Sequence, residues 1–242
     1  MIISDGHPFS GRTHLRSLAR LGIVVAAGAC LVLALPPYSI LPLALVAFVA
    51  LALVLRGASS LRAFGLGYMF GLGQFVLGLF WITESFQVEA DRFGWLALPA
   101  VFGLAGLLSA FPALACVVAA RMARSGLPPA LSLATAWAAS EWLRGHVVTG
   151  FPWNLAAYTL ADWTVLSQAA SVVGSYGLGF LLVLCASLAG LAFGRADRHL
   201  RVLRLTGAAA ILVSVAGFGV VRLATSGPAS DRGTQVRVVQ PN

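Results

Sequence analysis

The residues best suited to chemistry in this sequence stand close together in one segment, residues 137–158, which reads WAASEWLRGHVVTGFPWNLAAY. Trp137, Glu141 and Arg144 are spaced i, i+4 and i+7, so a helix would carry an indole, a carboxylate and a guanidinium on one face as it reaches the surface. Glu141 and Arg144 are also i, i+3 neighbours that could neutralise each other. Partial burial would strongly favour that ion pair, because a lone charge in apolar surroundings is costly.

The end of this segment combines a flexible glycine, a rigid proline, two aromatic rings and an amide that both donates and accepts hydrogen bonds. These residues are Gly150, Phe151, Pro152, Trp153 and Asn154. Such a loop could hold the glycerol or headgroup of a lipid while its rings enter the acyl region. It could equally be an aromatic belt at a membrane surface. The residue types alone leave both interpretations open.

A second polar segment, FWITESFQVEADRFGW, occupies residues 80–95. Trp81 and Trp95 bracket its charged side chains, which are Glu84, Glu89, Asp91 and Arg92. This pattern is typical of an interfacial loop anchored by two indoles. A loop that contacts substrate is the alternative.

The elements that position these segments must be membrane helices. The chain has 242 residues, of which 59% are apolar and only 10% charged, and its mean hydropathy is +0.90. This composition indicates a polytopic membrane protein, since a soluble core of this size needs far more charged surface. The net charge is +8, but the basic residues lie between apolar runs rather than on one basic face. This distribution argues against a nucleic-acid partner.

Seven apolar runs approach the roughly 20 residues that cross a bilayer. They span residues 21–38, 39–55, 63–83, 93–120, 127–143, 164–193 and 203–225. The first run is short and follows basic residues, so a cleaved signal peptide is an alternative. Because Pro36-Pro37 leads directly into the second run without an obvious cleavage site, we favour a retained helical hairpin.

The arginines predict the orientation of these spans. If the loops alternate between the two sides, eleven of the sixteen arginines fall on the side of the N-terminus. The positive-inside rule therefore predicts a cytoplasmic N-terminus and an extracytoplasmic C-terminal tail. Both polar segments, 80–95 and 137–158, then reach the extracytoplasmic side.

Glycines predict how the spans pack. The third run contains glycines whose spacing permits close helix contact; they are Gly65, Gly67, Gly71, Gly73 and Gly78. The sixth run is interrupted by GSYGLG at residues 174–179, where either a local kink or a break that lines a cavity could form.

The sequence offers no pattern for a metal or cofactor, and we expect none. Cys30, Cys116 and Cys185 lie inside apolar runs without CxxC spacing or a nearby histidine, so we interpret them as inert core residues. His146 has no second ligand near it, and a surface histidine is the simpler interpretation. The chain contains no lysine.

Three segments together resemble one known family. They are EWLRGHVVTGFPWN at residues 141–154, QAASVVGSYGLGFL at 168–181 and VRVVQPN at 236–242. In order and spacing they are similar to apolipoprotein N-acyltransferases of the bacterial cytoplasmic (inner) membrane, and the likeness covers nearly the whole chain. LRG...TGFPWN is the most specific of these signatures.

The resemblance implies a reaction and a domain organisation. The family transfers an acyl chain from a phospholipid to the N-terminal diacylglyceryl-cysteine of a lipoprotein, through a thioester formed by a Glu-Lys-Cys triad in a nitrilase-like domain. This chain has no lysine, so it cannot hold that triad. We expect a cytoplasmic N-terminus at 1–20, an all-α transmembrane domain at 21–225, and at 226–242 a linker and the first strand of a nitrilase-like α/β domain that is cut off there.

The resemblance also implies site residues and partners. We expect Glu141, Arg144, Phe151, Trp153 and Asn154, with Pro152, to shape the place where phospholipid enters. The expected partners are a phospholipid acyl donor and a diacylglyceryl lipoprotein acceptor, and we expect a monomer without nucleic acid. A lipid-binding scaffold without catalysis is one rival function. A small transporter is another, although the acidic residues near the ends of the runs argue against an ion pathway.

Overall fold

A computed structural model describes residues 10–147, 149–194, 197–227 and residue 237, and every regular element in these ranges is a helix. The strand predicted in VRVVQPN lies outside the described residues, apart from Arg237. The α-helices are α1 (Ser10–Leu33), α2 (Leu41–Val54), α3 (Ser60–Gly78), α4 (Ala90–Phe93), α5 (Ala97–Leu108), α6 (Ala110–Arg124), α7 (Pro129–His146), α8 (Thr164–Ser167), α9 (Ala170–Ala192) and α10 (Arg198–Thr225). Short 3-10 helices span Phe80–Phe86, Gly94–Leu96 and Ala156–Leu160.

Six long helices pack as a closed ring. Along the ring the neighbours are α1, α3, α6, α7, α9 and α2, and α2 returns to α1. α10 packs on the outside against α8 and α9, and only 11% of its most apolar stretch is buried inside the protein. An apolar helix that exposes this much surface is suited to lipid rather than water.

The helices agree with a membrane protein. Within the described residues, three stretches are long and apolar enough to cross a bilayer: Ala90–Arg124, Ala170–Ala192 and Arg198–Thr225. Ser60–Gly78 and Phe80–Phe86 would make a fourth span if the 45° bend between them is part of one crossing. α2 is apolar but has only 14 residues. The predicted all-helical membrane class is confirmed at this level, and seven spans remains a prediction.

The predicted span 93–120 lies within the single stretch Ala90–Arg124, which has one local interruption. α5 ends at Leu108 and α6 begins at Ala110, with Ser109 between them. Pro112 explains the interruption, because a proline has no N–H to bond the carbonyl four residues earlier and its ring crowds that carbonyl. The Ser109 hydroxyl donates at 2.6 Å to the carbonyl of Ala105, which also accepts from the Ser109 amide at 2.9 Å.

Close packing of α1 on α3 depends on glycine. A Cβ at Gly28 would overlap the carbonyl of Phe70, and one at Gly73 would overlap the carbonyl of Val25. Backbone therefore lies against backbone where these two helices cross, as small residues allow in membrane helices. The predicted role in helix packing is confirmed for Gly67, Gly71 and Gly73, whereas Gly78 lies against the loop residue Asn154 and a Cβ at Gly65 would meet nothing within 4 Å.

The predicted kink in the sixth run is confirmed at its first glycine. Gly174 has φ 67° and ψ 179°, a conformation outside the helical region, and helix continues on both sides of it within α9. A positive φ is open to glycine at little cost. The rest of the GSYGLG segment is helical.

Trp137 anchors α7 in the core of the helix ring. Trp137 is 2% exposed and packs edge-on against Phe48 of α2 and Phe70 of α3, with ring centroids 5.0 and 5.5 Å apart. Edge-to-face contacts of this kind favour one orientation of the rings beyond simple burial. Trp137 therefore sets the rotation of α7 and, with it, the direction of Glu141 and Arg144.

Candidate functional site

An open groove of about 890 Å³ lies at one end of the helix ring. Its walls come from the turn between α1 and α2, from the end of α3 with the following 3-10 helix, and from residues 152–161. Five aromatic rings line it: Tyr38, Phe80, Trp81, Trp153 and Tyr158. Glu84 and Asn154 add a carboxylate and an amide. Apolar walls with a few polar groups are typical of a site for an amphipathic small molecule.

Arg144 holds the loop that forms one wall of the groove. The side chain is 3% exposed, and its Nη1 donates to the carbonyls of Phe151 at 2.7 Å and Trp153 at 2.6 Å. The Phe151 amide donates back to the Arg144 carbonyl at 2.8 Å. The guanidinium also lies over the ring of Phe75, 5.2 Å from its centroid. Arg144 thus fixes residues 151–153 against the end of α7.

Glu141 holds the far end of the same loop. Its Oε1 accepts from the indole Nε1–H of Trp137 at 3.0 Å and from the backbone amide of Ala156 at 2.8 Å. Ala156 begins the 3-10 helix that carries Tyr158 into the groove. The second carboxylate oxygen, Oε2, is buried and has no hydrogen-bond partner.

The relation between Glu141 and Arg144 differs from the sequence prediction in two respects. The face of α7 that carries them does not reach the surface, since Trp137, Glu141 and Arg144 are all buried. The hydrogen bonds of both side chains go to the loop or to Trp137 rather than to each other. The reason is that the loop folds back along α7 and brings two carbonyls and an amide within hydrogen-bonding distance of these side chains.

Asn154 connects the loop to α3. It has a positive φ of 55°, and its amide nitrogen lies where a Cβ of Gly78 would be. The backbone carbonyl of Asn154 accepts a hydrogen bond from Nε2 of Gln74 at 3.0 Å. Gln74 is 1% exposed, which makes it one of the few fully buried polar side chains of the ring. The fit of Asn154 therefore depends on a glycine and a glutamine of α3.

Three aromatic rings stack across the two polar segments found in the sequence. Trp81 and Trp153 lie with centroids 5.1 Å apart and 15° between planes, and Trp153 stacks on Phe151 at 5.9 Å and 21°. The two indoles are about half exposed, so the stack is both a wall of the groove and part of its mouth. Trp95, predicted as the second anchor of residues 80–95, is 71% exposed.

The opposite wall is attached by polar contacts. The hydroxyl of Ser39, in the turn between α1 and α2, donates to the carboxylate of Asp162, and the indole of Trp163 donates to the Ser39 carbonyl at 3.4 Å. This turn carries Tyr38 into the groove. Burial raises the pKa of the Tyr158 phenol, so this group stays protonated and can donate a hydrogen bond there.

A small cavity of about 10 Å³ lies behind the loop, between α3, α6 and α7. It is lined by Gln74, Ser140, Glu141 and Arg144 among others. This volume is about what one water needs. Gln74 Oε1 and Glu141 Oε2 belong to residues that line this cavity and are buried without a hydrogen-bond partner, so acceptors remain there for such a water. The buried groups therefore hold the loop in place, whereas the side chains that line the groove are the ones that a ligand could contact.

The sequence identified most of these residues but missed three. Glu141, Arg144, Phe151, Trp153 and Asn154 do come together, with Trp153 and Asn154 lining the groove and the other three behind it. Gln74, Gly78 and Trp81 have equally direct contacts with the loop. A glutamine within an apolar, glycine-rich run was the one signal that could have indicated Gln74.

The histidine and the cysteines stand apart from this site. His146 is exposed and stacks on Trp142 with ring centroids 4.5 Å apart, as predicted for a surface histidine. Cys116 is fully buried, and Cys30 and Cys185 are partly buried within helices. Among the described residues, no group of three or more His, Cys, Asp or Glu side chains could hold a metal ion.

Comparison with known proteins gives one consistent result. Residues 27–188 match the family model described as the apolipoprotein N-acyltransferase N-terminal domain. Three relatives named apolipoprotein N-acyltransferase come from Bradyrhizobium diazoefficiens, with 38% identity over 91% of this chain and 42% of the relative, from Rhodopseudomonas palustris, with 36% over 92% and 43%, and from Caulobacter vibrioides, with 38% over 90% and 41%.

The chain thus spans about two fifths of the length of these relatives. The matched region contains the groove, the loop 149–155 and both buried charges. Since the family model matches well over half of the sequence, this chain belongs to the apolipoprotein N-acyltransferase family, of which it carries the N-terminal membrane domain.

Proposed function

We propose that this chain forms the lipid-binding membrane part of an enzyme that transfers an acyl chain from a phospholipid to the N-terminal diacylglyceryl-cysteine of a lipoprotein. The observation that carries the proposal is the aromatic groove at one end of the ring, about 890 Å³ in volume and lined by loops that belong to the family's matched region. A phospholipid and a lipidated peptide are both amphipathic, and both need apolar walls beside polar groups.

The proposed topology has seven spans, with the N-terminus in the cytoplasm of a bacterium and the groove on the outer side of its cytoplasmic membrane. Two facts support it. The segments that line the groove are loops predicted to be outside and the helix ends next to them, and the arginine-rich loops belong to the other side. The turn before α2 and the loop after α7 also line the groove, whereas the end of α2 and the start of α7 line a different cavity.

In this proposal the residues of the membrane part bind and orient substrate, and another part of the enzyme carries the nucleophile. The chain has no lysine, and its cysteines lie inside helices rather than at the groove. The family's chemistry would proceed in a nitrilase-like domain, for which residues 226–242 would supply a linker and first strand. A cysteine thiolate there attacks the phospholipid ester and releases a lysophospholipid. The lipoprotein amine then opens the thioester, forms an amide and releases the thiol.

The five candidate residues have two different roles in this proposal. Trp153 contacts lipid through its half-exposed indole, and Asn154 lines the groove beside it although its Nδ2 is buried against Gly78. Glu141 and Arg144 are positioning residues, because their buried side chains bond the loop and do not line the groove. Phe151 supports Trp153 from behind. The enzyme would act as a monomer.

A chimera tests the proposal. This chain would replace the matching 42% of the Bradyrhizobium diazoefficiens relative, and the hybrid would be expressed in bacteria depleted of their own N-acyltransferase. Mass spectrometry of lipoprotein N-terminal peptides measures N-acylation. We expect the hybrid to restore it and Trp153→Ala to reduce it, with equal amounts of both proteins in the membrane.

Two controls separate the alternatives. The 242-residue chain alone should not restore N-acylation, since it lacks a candidate nucleophile at the groove. Restoration by the chain alone would overturn the division of roles proposed above. A hybrid that reaches the membrane, binds lipid and still fails to acylate would favour the scaffold function instead.

A further inference from the structure

A second pocket lies at the opposite end of the ring from the groove. It has a volume of about 290 Å³ and lies between the ends of α2, α6 and α9 and the start of α7. α2 connects the two regions, since the turn before its first residue lines the groove and Ala52 near its last turn lines the pocket. The 14 residues of α2 are about 21 Å long, so the two cavities are separate sites.

The chemistry of this pocket combines small apolar walls with two guanidinium groups. Its apolar lining includes Ala52, Ala120, Ala123 and Leu133. Arg56 and Arg124 stand at its edge, both exposed to the surroundings. Alanines leave room for a narrow apolar chain, and two cations at the edge attract an anionic group.

Both arginines are held in place by the protein. Arg124 donates from Nη1 to the carbonyl of Ala58 at 2.8 Å and from Nη2 to the hydroxyl of Ser60 at 2.8 Å. A guanidinium has five N–H donors, so these bonds leave further donors of Arg124 for a ligand. The guanidinium of Arg56 occupies the space above Gly194 at the end of α9. Because the bonds to Ala58 and Ser60 order Arg124 before binding, its side chain loses less entropy when a ligand binds.

The surroundings of the pocket determine which anion can reach it. Arg62, Arg121 and Arg204 lie at the same end of the ring, near the helix ends that meet there. Their helices are apolar beyond these ends, so a lipid leaflet would surround the pocket. Basic pockets between membrane helices are suited to lipids with anionic headgroups.

We propose that this pocket binds an anionic phospholipid, with its phosphate between Arg56 and Arg124 and part of one acyl chain against the alanines. The site is independent of the acyl-transfer function proposed above, because it lies at the other end of the ring. A lipid bound there would contact α2, α6, α7 and α9 together and stabilise the closure of the ring.

Native mass spectrometry of the purified full chain in detergent tests this site. Phosphatidylglycerol and phosphatidylcholine of equal chain length are titrated separately, and thermal unfolding is followed in parallel. We expect phosphatidylglycerol to bind and raise the unfolding temperature, and Arg56→Gln to weaken this binding roughly fivefold. Arg56→Gln leaves the bonds of Arg124 to Ala58 and Ser60 in place, which protects the fold of the loop.

Matched controls decide between the pocket and general attraction. Arg62→Gln and Arg121→Gln remove the same charge at the same end of the ring but do not line the pocket. Both should keep wild-type affinity, and losses equal to that of Arg56→Gln would overturn the proposal. Ala123→Leu fills the pocket without changing charge and should also abolish binding. Unchanged binding by that variant, equal binding of phosphatidylcholine, or full competition by inorganic phosphate would each overturn it too.

Discussion

The indole rings of Trp81 and Trp153 stack with their centroids 5.1 Å apart, although they belong to two different loops. Trp81 follows α3, and Trp153 belongs to the loop that folds back on α7. The contact makes one continuous wall from two segments that lie far apart in the sequence. A ligand in the groove would therefore meet both loops as one rigid surface.

The first prediction concerns this stack. Trp81→Ala and Trp153→Ala should each reduce acyl transfer by the chimera several-fold, because each removes a ring from the groove wall. Their effects on stability should be non-additive by about 0.5–1.5 kcal/mol, as is usual for aromatic pairs in contact. Thermal unfolding of the two single variants and the double variant measures this coupling. Trp95→Ala is the control, since Trp95 is exposed and does not line the groove.

The second prediction concerns Arg144. Arg144→Ala leaves the carbonyls of Phe151 and Trp153 without their donor, and we expect a loss of about 3 kcal/mol in the free energy of unfolding. The loop should also open more often, so hydrogen exchange at the amide of Phe151 should become faster. Arg144→Lys should recover only part of the loss, because an ammonium lacks the planar guanidinium that lies over Phe75 while its Nη1 reaches both carbonyls. Equal stability of the lysine variant and the wild type would contradict the assigned geometry.

The third prediction concerns Glu141. Its Oε1 is the atom that accepts both hydrogen bonds, from Trp137 and from the Ala156 amide. Glu141→Gln can keep one oxygen in that position, whereas Glu141→Ala leaves two buried donors unpaired. We therefore expect the alanine variant to lose about 2–4 kcal/mol of stability and the glutamine variant clearly less. Urea unfolding in detergent compares the two, and a glutamine variant as unstable as the alanine variant would show that the charge itself is required.

These contacts mark the limit of what the sequence predicts. The spacing of Trp137, Glu141 and Arg144 correctly predicts one helical face, because helical periodicity is a local property. It does not predict that the loop folds back over this face and bonds both charged side chains. Without the loop, an ion pair between Glu141 and Arg144 was the natural expectation. The contacts of Asn154 with Gln74 and Gly78 join segments far apart in the chain, and such pairings leave no periodic signal.

The fourth prediction uses two glycines of α3. A methyl group at Gly78 would overlap the amide of Asn154, whereas one at Gly65 would meet nothing within 4 Å. Gly78→Ala should therefore displace Asn154 and lower acyl transfer by the chimera. Gly65→Ala should leave transfer unchanged and, by its better helix propensity, stabilise α3 by up to about 1 kcal/mol. If both variants acylate equally well, the position of Asn154 is not needed for activity.

The fifth prediction tests the orientation of the helices. Val88 is 86% exposed in the loop after α3, and Leu61 is 83% exposed in the first turn of α3. If the loop lies outside the cytoplasm, Val88→Cys should react with a membrane-impermeant maleimide in intact spheroplasts. Leu61→Cys should react only after the membrane is permeabilised, because α3 would separate the two positions across the bilayer. The unchanged chain measures the background from its own cysteines, which lie within helices. Labelling of Leu61→Cys in intact spheroplasts would reverse the proposed topology and place the groove on the cytoplasmic side, where extracytoplasmic lipoproteins could not reach it.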